Sequence, residues 1–103
     1  MEIQKIFDLH DKVVVITGAS GMLGTQYAYG LSECGAHVVL ADIDIFKSKI
    51  TEKQIKKKFS TKPMSIYLDL TNKESILSMT DSILKKYSKI DVLINNAAYQ
   101  GNF

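Results

Sequence analysis

Four stretches of the chain read as strands, the first two of them buried. Lys12 to Thr17 is a β-branched run that stops at Gly18, and Ala36 to Ala41 is a second apolar run. Met64 to Leu68 and Ile90 to Ile94 supply two shorter ones. An unbroken apolar run, rather than an alternating one, marks a strand covered by helices above and below, as in a parallel sheet. Between these runs the period changes. Leu23, Tyr27, Leu31 and Cys34 recur at helical spacing, and Gly35 stands where a glycine would end that helix. Phe46, Ile50, Ile55 and Phe59 mark a second, lysine-rich helix, stopped before Pro63. Thr71 and Glu74 have capping-box spacing, and Ile76, Thr80, Ile83, Leu84 and Tyr87 stripe the helix they would begin.

Strands alternating with helices, with no internal repeat or low-complexity linker, predict right-handed βαβ crossovers and an α/β fold. Helices must cover both faces, which suits a half-sheet of strand order 3-2-1-4 with its topological switch between the first and fourth strands. Ligands of such sheets bind beyond the carboxyl ends of the strands. The residues there carry the candidate chemistry.

The first strand runs into Thr17-Gly18-Ala19-Ser20-Gly21-Met22-Leu23-Gly24. Gly18 and Gly21 suit a tight turn that lets a pyrophosphate reach backbone N–H groups and a helix N-terminus, and Gly24 suits close packing of helix on sheet. By spacing alone this is equally a plain strand-to-helix turn. Ser20, with no histidine base or acidic partner assignable to it, reads as a phosphate-contacting hydroxyl rather than a nucleophile. The second strand ends at Asp42, eighteen positions after Gly24 and close to the separation at which a carboxylate accepts hydrogen bonds from an adenosine ribose. The alternative is a helix cap, a role for which Asp44 is better placed. The third strand ends at Asp69-Leu70-Thr71, where the carboxylate can take an adenine amino group or close a turn. The fourth leads into Asn95-Asn96-Ala97-Ala98, with amides for neighbouring backbone and alanines that leave room beside the switch point, or a simple turn.

Together these strand ends resemble the short-chain dehydrogenase/reductase family, from about Asp11 through Ala98. The resemblance rests on the glycine loop, Asp42, Asp69-Leu70-Thr71 and Asp91-Val92-Leu93-Ile94-Asn95-Asn96-Ala97. It implies a Rossmann-type fold and an NAD(P)-dependent oxidoreductase moving a hydride between NAD and a carbonyl/alcohol pair. By that resemblance Gly18, Ser20, Gly21, Met22, Leu23 and Gly24 hold the pyrophosphate. Asp42 and Ile43 take the adenosine ribose and adenine edge, Asp69 and Leu70 the adenine, and Asn95 with Ala97 the central sheet and nicotinamide ribose. Met22 replaces a glycine of the common loop, and Gly21 matches instead the TGxxGxxG form of the extended branch, which acts on nucleotide sugars. Asn95-Asn96-Ala97 belongs with the single-domain branch, although Ala98 replaces its glycine. The wording of the loop and of Ala41-Asp42-Ile43-Asp44 is most similar to bacterial surface-sugar and flagellin-modification oxidoreductases.

The family's catalytic tyrosine and lysine stand four apart. Four positions after Tyr27, Tyr29, Tyr67, Tyr87 and Tyr99 are Leu31, Glu33, Thr71, Asp91 and Phe103, so no catalytic residue is assigned. The expectation is a single partial domain over residues 1–103, a cofactor-binding half without its catalytic half and inactive alone. The rival readings are an extended-branch nucleotide-sugar epimerase or dehydratase, and a non-catalytic NAD-binding module. An unpaired fourth strand predicts self-association through the Ile90–Ile94 edge.

Composition narrows the rest. The 103 residues are 46% hydrophobic and 23% charged, those of a folding globular chain of one-domain length. All 13 basic residues are lysine. Without arginine to grip a 2′-phosphate, and with Asp42 to repel it, the cofactor expected is NAD over NADP, Lys47 or Lys49 offering only a point charge. The net charge of +2 gives no case for nucleic acid or an anionic membrane, and the lysines from Ile45 to Lys62 read as a solvated face. His10 and His37 lack partners at metal-ligand spacing, so no metal is expected. One cysteine, Cys34, reads as a small buried side chain, and with no apolar run near the length of a membrane span and no export signal the expected location is cytoplasmic.

Overall fold

A computed structural model describes residues 7–97. Strands β1 (Val13–Thr17), β2 (His37–Asp42), β3 (Met64–Tyr67) and β4 (Val92–Asn95) alternate with helices α1 (Met22–Glu33), α2 (Ile45–Lys58) and α3 (Lys73–Tyr87). The strands pair in parallel in the order β3-β2-β1-β4, as the sequence predicts. Thr17 aligns with Ala41 and with Asn95, and Asp42 with Tyr67, so the four strand ends that carry candidate chemistry reach one end of the sheet.

The central strands supply both cores. Val14, Ile16, Val38 and Leu40 pack with Ala28 of α1 and Ile55 of α2. Val13, Val15, Val39 and Ala41 pack with Met79 and Ile83 of α3 on the other face. Each fully buried Val or Ile side chain contributes about 1.5–3 kcal/mol relative to an exposed one, so β1 and β2 carry most of the apolar stabilisation. Gly35, at φ +97°, closes α1: its N–H donates to Ser32 O and that of Ala36 to Leu31 O, the double bond of a Schellman cap.

The helix faces differ from the sequence pattern. On α1 the residues buried are Gly24, Ala28 and Ser32, one position on from the expected Leu23, Tyr27 and Leu31. The helix lies so close to the sheet edge that a Cβ at Gly24 would stand 2.5 Å from Gly18 O, and only small residues fit that face. Leu23 is consequently 56% exposed. On α2 Ser48, Thr51 and Ile55 face the sheet, while Phe46 and Ile50 are 80% and 60% exposed. On α3 Ile83 is buried as expected and Met79 joins it, whereas Leu84 is exposed. Asn72, not Thr71, caps α3 by accepting from Glu74 N–H at 2.9 Å, because Thr71 is held by Asp69. β4 is not buried on both faces: Leu93 is 61% exposed, and among the described residues the strand pairs with β1 alone.

Candidate cofactor-binding site

The β1–α1 turn is built by backbone approach. Gly18 has φ +64°, a conformation that favours glycine, and a Cβ there would lie 2.8 Å from Ala97 Cα. The turn's own amides are spent: Ala19 N–H donates to Ala41 O at 3.3 Å, Ser20 N–H to Asp42 Oδ2 at 3.0 Å and Gly21 N–H to Gly18 O at 3.2 Å. Gly21 caps α1 with no side-chain hydrogen bond, and no acidic residue stands in the first turn. The amides of Met22 and Leu23 and the positive end of the helix dipole are therefore left for an anion.

Beside this turn lies an open cavity of about 610 Å³, floored by Gly18, Ala41 and Ala97 and walled by Asp42, Ile43, Leu68, Asp69, Leu70 and Thr71. Six of the residues singled out in the sequence (Gly18, Asp42, Ile43, Asp69, Leu70 and Ala97) line it. Gly21, Met22 and Leu23 stand at the exposed start of α1, Gly24 is buried behind them, and Ser20 is tied to Asp42. Asp44 caps α2 through Lys47 N–H at 3.2 Å, so that task does not fall to Asp42. Asp42 is nonetheless engaged: Oδ1 accepts from Asp44 N–H at 2.8 Å while Oδ2 holds Ser20. Asp69 Oδ1 accepts the Thr71 hydroxyl at 2.6 Å and the Thr71 N–H at 3.0 Å. Those bonds hold its carboxyl below the usual range and keep it ionised. Each carboxylate still has unused acceptor capacity toward the cavity.

Thr17 is a positioning residue that motif reading passes over. Its hydroxyl donates toward Asn95 Oδ1 at 3.2 Å and accepts from the N–H groups of Asn96 at 3.0 Å and Ala97 at 3.1 Å. Asn96 Nδ2 donates to Gly18 O at 3.2 Å, closing the tie between the two strand ends at the switch point. A hydroxyl ending an otherwise aliphatic buried strand was the available signal. Asn95 thus faces Thr17 rather than the cavity, and Ala98 and Tyr99 lie outside the described residues.

At the opposite edge, His37 Nδ1 accepts from Lys62 N–H at 3.0 Å and Nε2 lies 3.2 Å from Asp11 Oδ1, which places the ring proton on Nε2. The ring thus ties the loop before β3 to the segment before β1. Among the described residues no group of three or more His, Cys, Asp or Glu side chains is arranged to hold a metal, and no helix is long and apolar enough to cross a membrane.

Residues 12–103 match the family described as short chain dehydrogenase. An NAD-dependent glycerol dehydrogenase of Listeria innocua is 38% identical over 94 residues, covering 90% of this chain and 35% of that protein. Post-translational flagellin modification protein A of Campylobacter coli is 30% identical over 89 residues, 86% of this chain and 35% of that one. Among solved structures, NAD+-bound xylitol dehydrogenase matches with a TM-score of 0.85 at 34% identity, over 92% of this chain and 36% of that one. A metagenomic short-chain oxidoreductase in complex with NADP matches with a TM-score of 0.83 at 33% identity, over 88% and 41%. The chain thus spans about a third of the length of the curated relatives it matches. Glycine turn, strand order, strand-end residues and a family match over nearly the whole sequence agree, and the chain belongs to the short-chain dehydrogenase family.

Proposed function

We propose that this chain is the NAD-binding part of an oxidoreductase that transfers a hydride between NAD and a carbonyl/alcohol pair. The observation that carries the reading is the uncapped start of α1, its Met22 and Leu23 amides free, opening beside a cavity with Asp42 at its far wall. An anion at the helix start and a polyhydroxyl group at the carboxylate suit the phosphate and ribose of a dinucleotide. A Cβ at Gly18 would fill the close approach between turn and Ala97, so the cradle fits the group.

Solved relatives hold NAD or NADP, so a nicotinamide dinucleotide is the coarse expectation. NAD is the finer one, because Asp42 repels a 2′-phosphate and the chain contains no arginine to pair with it. No tyrosine of the sequence is followed by a lysine four positions on, and the chain spans about a third of the length of its curated relatives, which supports reading residues 1–103 as a partial domain. The single cysteine, Cys34, is free and buried, which suits a reducing cytoplasm. Calorimetric titration tests the reading. Saturable micromolar NAD binding, with NADP weaker by about tenfold or more and no turnover, is expected. No heat from folded protein, or NADP binding as tightly as NAD, overturns it.

A further inference from the structure

The geometry points to a second task for Asp42: it is a positioning residue that latches the glycine turn, so cofactor choice and phosphate-loop order reside in one carboxylate. The inference rests on the dinucleotide reading of the cavity for its functional consequence, though not for the latch itself. Oδ2 accepts from Ser20 N–H across 22 residues of sequence, and Oδ1 accepts from Asp44 N–H at the start of α2. The backbone of the same segment adds Ala19 N–H to Ala41 O and Leu68 N–H to Asp42 O at 3.1 Å. Three segments, the glycine turn, the α2 entry and the end of β3, therefore converge on residues 41 and 42.

Of the ties that reach the glycine turn, the bond to Ser20 is the one a side chain supplies and the one that carries charge. Charge-assisted hydrogen bonds are the strong ones, and without this carboxylate the half-buried Ser20 N–H would have no partner. Ser20 stands one residue before the cap Gly21 and two before the free amide of Met22, so fixing it also fixes where α1 begins. A carboxylate offers about four acceptor sites, of which two are taken, so a ribose hydroxyl can be added without releasing the turn. Both ends of the cavity thereby depend on one side chain. It follows that replacing Asp42 with a small neutral residue, the obvious way to admit a 2′-phosphate, also loosens the pyrophosphate end.

Amide exchange by NMR on the chain without ligand reads the latch directly. Asp42→Ala is expected to speed exchange at Ser20 by about tenfold or more while Val15 and Leu40 stay protected, and Asp42→Asn, which keeps a neutral acceptor, gives a smaller increase. Should Asp42→Ala not fold, the nearly isosteric Asp42→Asn carries the comparison alone. Equal Ser20 exchange in wild type and in the variants overturns the latch. Titration supplies the readout that a merely structural role would not divide between cofactors: Asp42→Ala loses about tenfold or more in NAD affinity and gains less than that for NADP. A full exchange of preference, NADP tightening as far as NAD weakens, would mean Asp42 acts by repulsion alone. If NAD binds no variant and not the wild type, the cofactor reading fails while the exchange measurement still decides the latch.

Discussion

Two glycines on one helix should respond to the same substitution with opposite signs. An alanine at Gly24 places its Cβ 2.5 Å from Gly18 O and 2.8 Å from Ala19 Cα, both backbone atoms that cannot rotate away. Comfortable contact needs about 3.5 Å or more, so helix or turn must shift by roughly 1 Å. Overpacking of this kind costs about 1–3 kcal/mol, and rigid backbone on the far side places Gly24→Ala in the upper part of that range. The intrinsic helix preference of alanine returns about 1 kcal/mol, leaving a net loss of about 1–2 kcal/mol. Gly30 lies on the same helix with no positive φ, and nothing stands within 4 Å of the place a Cβ would occupy. Gly30→Ala should therefore stabilise by about 0.5–1 kcal/mol. Urea unfolding followed by circular dichroism reads both, and for a domain this size 1 kcal/mol moves Tm by about 4–8 °C. A stabilised Gly24→Ala would mean that α1 does not seat on the turn at this distance, and the account of why its small residues face inward would fall.

Three further outcomes follow from the site and its edges. Thr17→Val removes the acceptor for Asn96 and Ala97 N–H and should cost about 1–3 kcal/mol, whereas Thr17→Ser, keeping the hydroxyl, should cost clearly less; equal losses would show that methyl packing dominates. Asp91 is held below the usual carboxylate range, first by Val13 N–H and then by Lys89, and Asp69 is lowered by Thr71. Their folded values lie under their unfolded ones, so the stability they add is complete above the ordinary carboxylate range and is lost as pH falls through it. Tm should decline below about pH 5, and less steeply in Asp91→Asn; parallel profiles would remove Asp91 from the explanation. The exposed β4 edge should drive concentration-dependent self-association in light scattering, and Leu93→Lys should suppress it, while a wild-type monomer at high concentration contradicts the edge reading.

The sheet was legible because burial on both faces leaves a strand few residue types, whatever its neighbours. Val13 to Ile16 and Val38 to Ala41 could hardly be anything else. Helix faces were not, because pattern reading gives the core to the largest apolar residues whereas close approach gives it to the smallest. Gly24, Ala28 and Ser32 displace Leu23 and Tyr27 on α1, and Ser48 and Thr51 displace Phe46 and Ile50 on α2. Within the site, the glycine turn and strand-end acids could be read from local spacing. The ties from Thr17 to Asn96 and from Asp42 to Ser20 could not, since their partners stand 79 and 22 residues apart and meet only through the parallel register.

The central claim, that the β1–α1 turn and the ends of β2 and β3 together cradle a dinucleotide, is tested most directly by following backbone amide resonances during NAD titration. Met22 and Leu23 should shift most, with Gly18, Ile43, Leu70 and Ala97 following in a single saturable process. Unmoved resonances in folded protein at saturating NAD, or shifts gathered around His37 and Ser32 at the opposite edge, would contradict it.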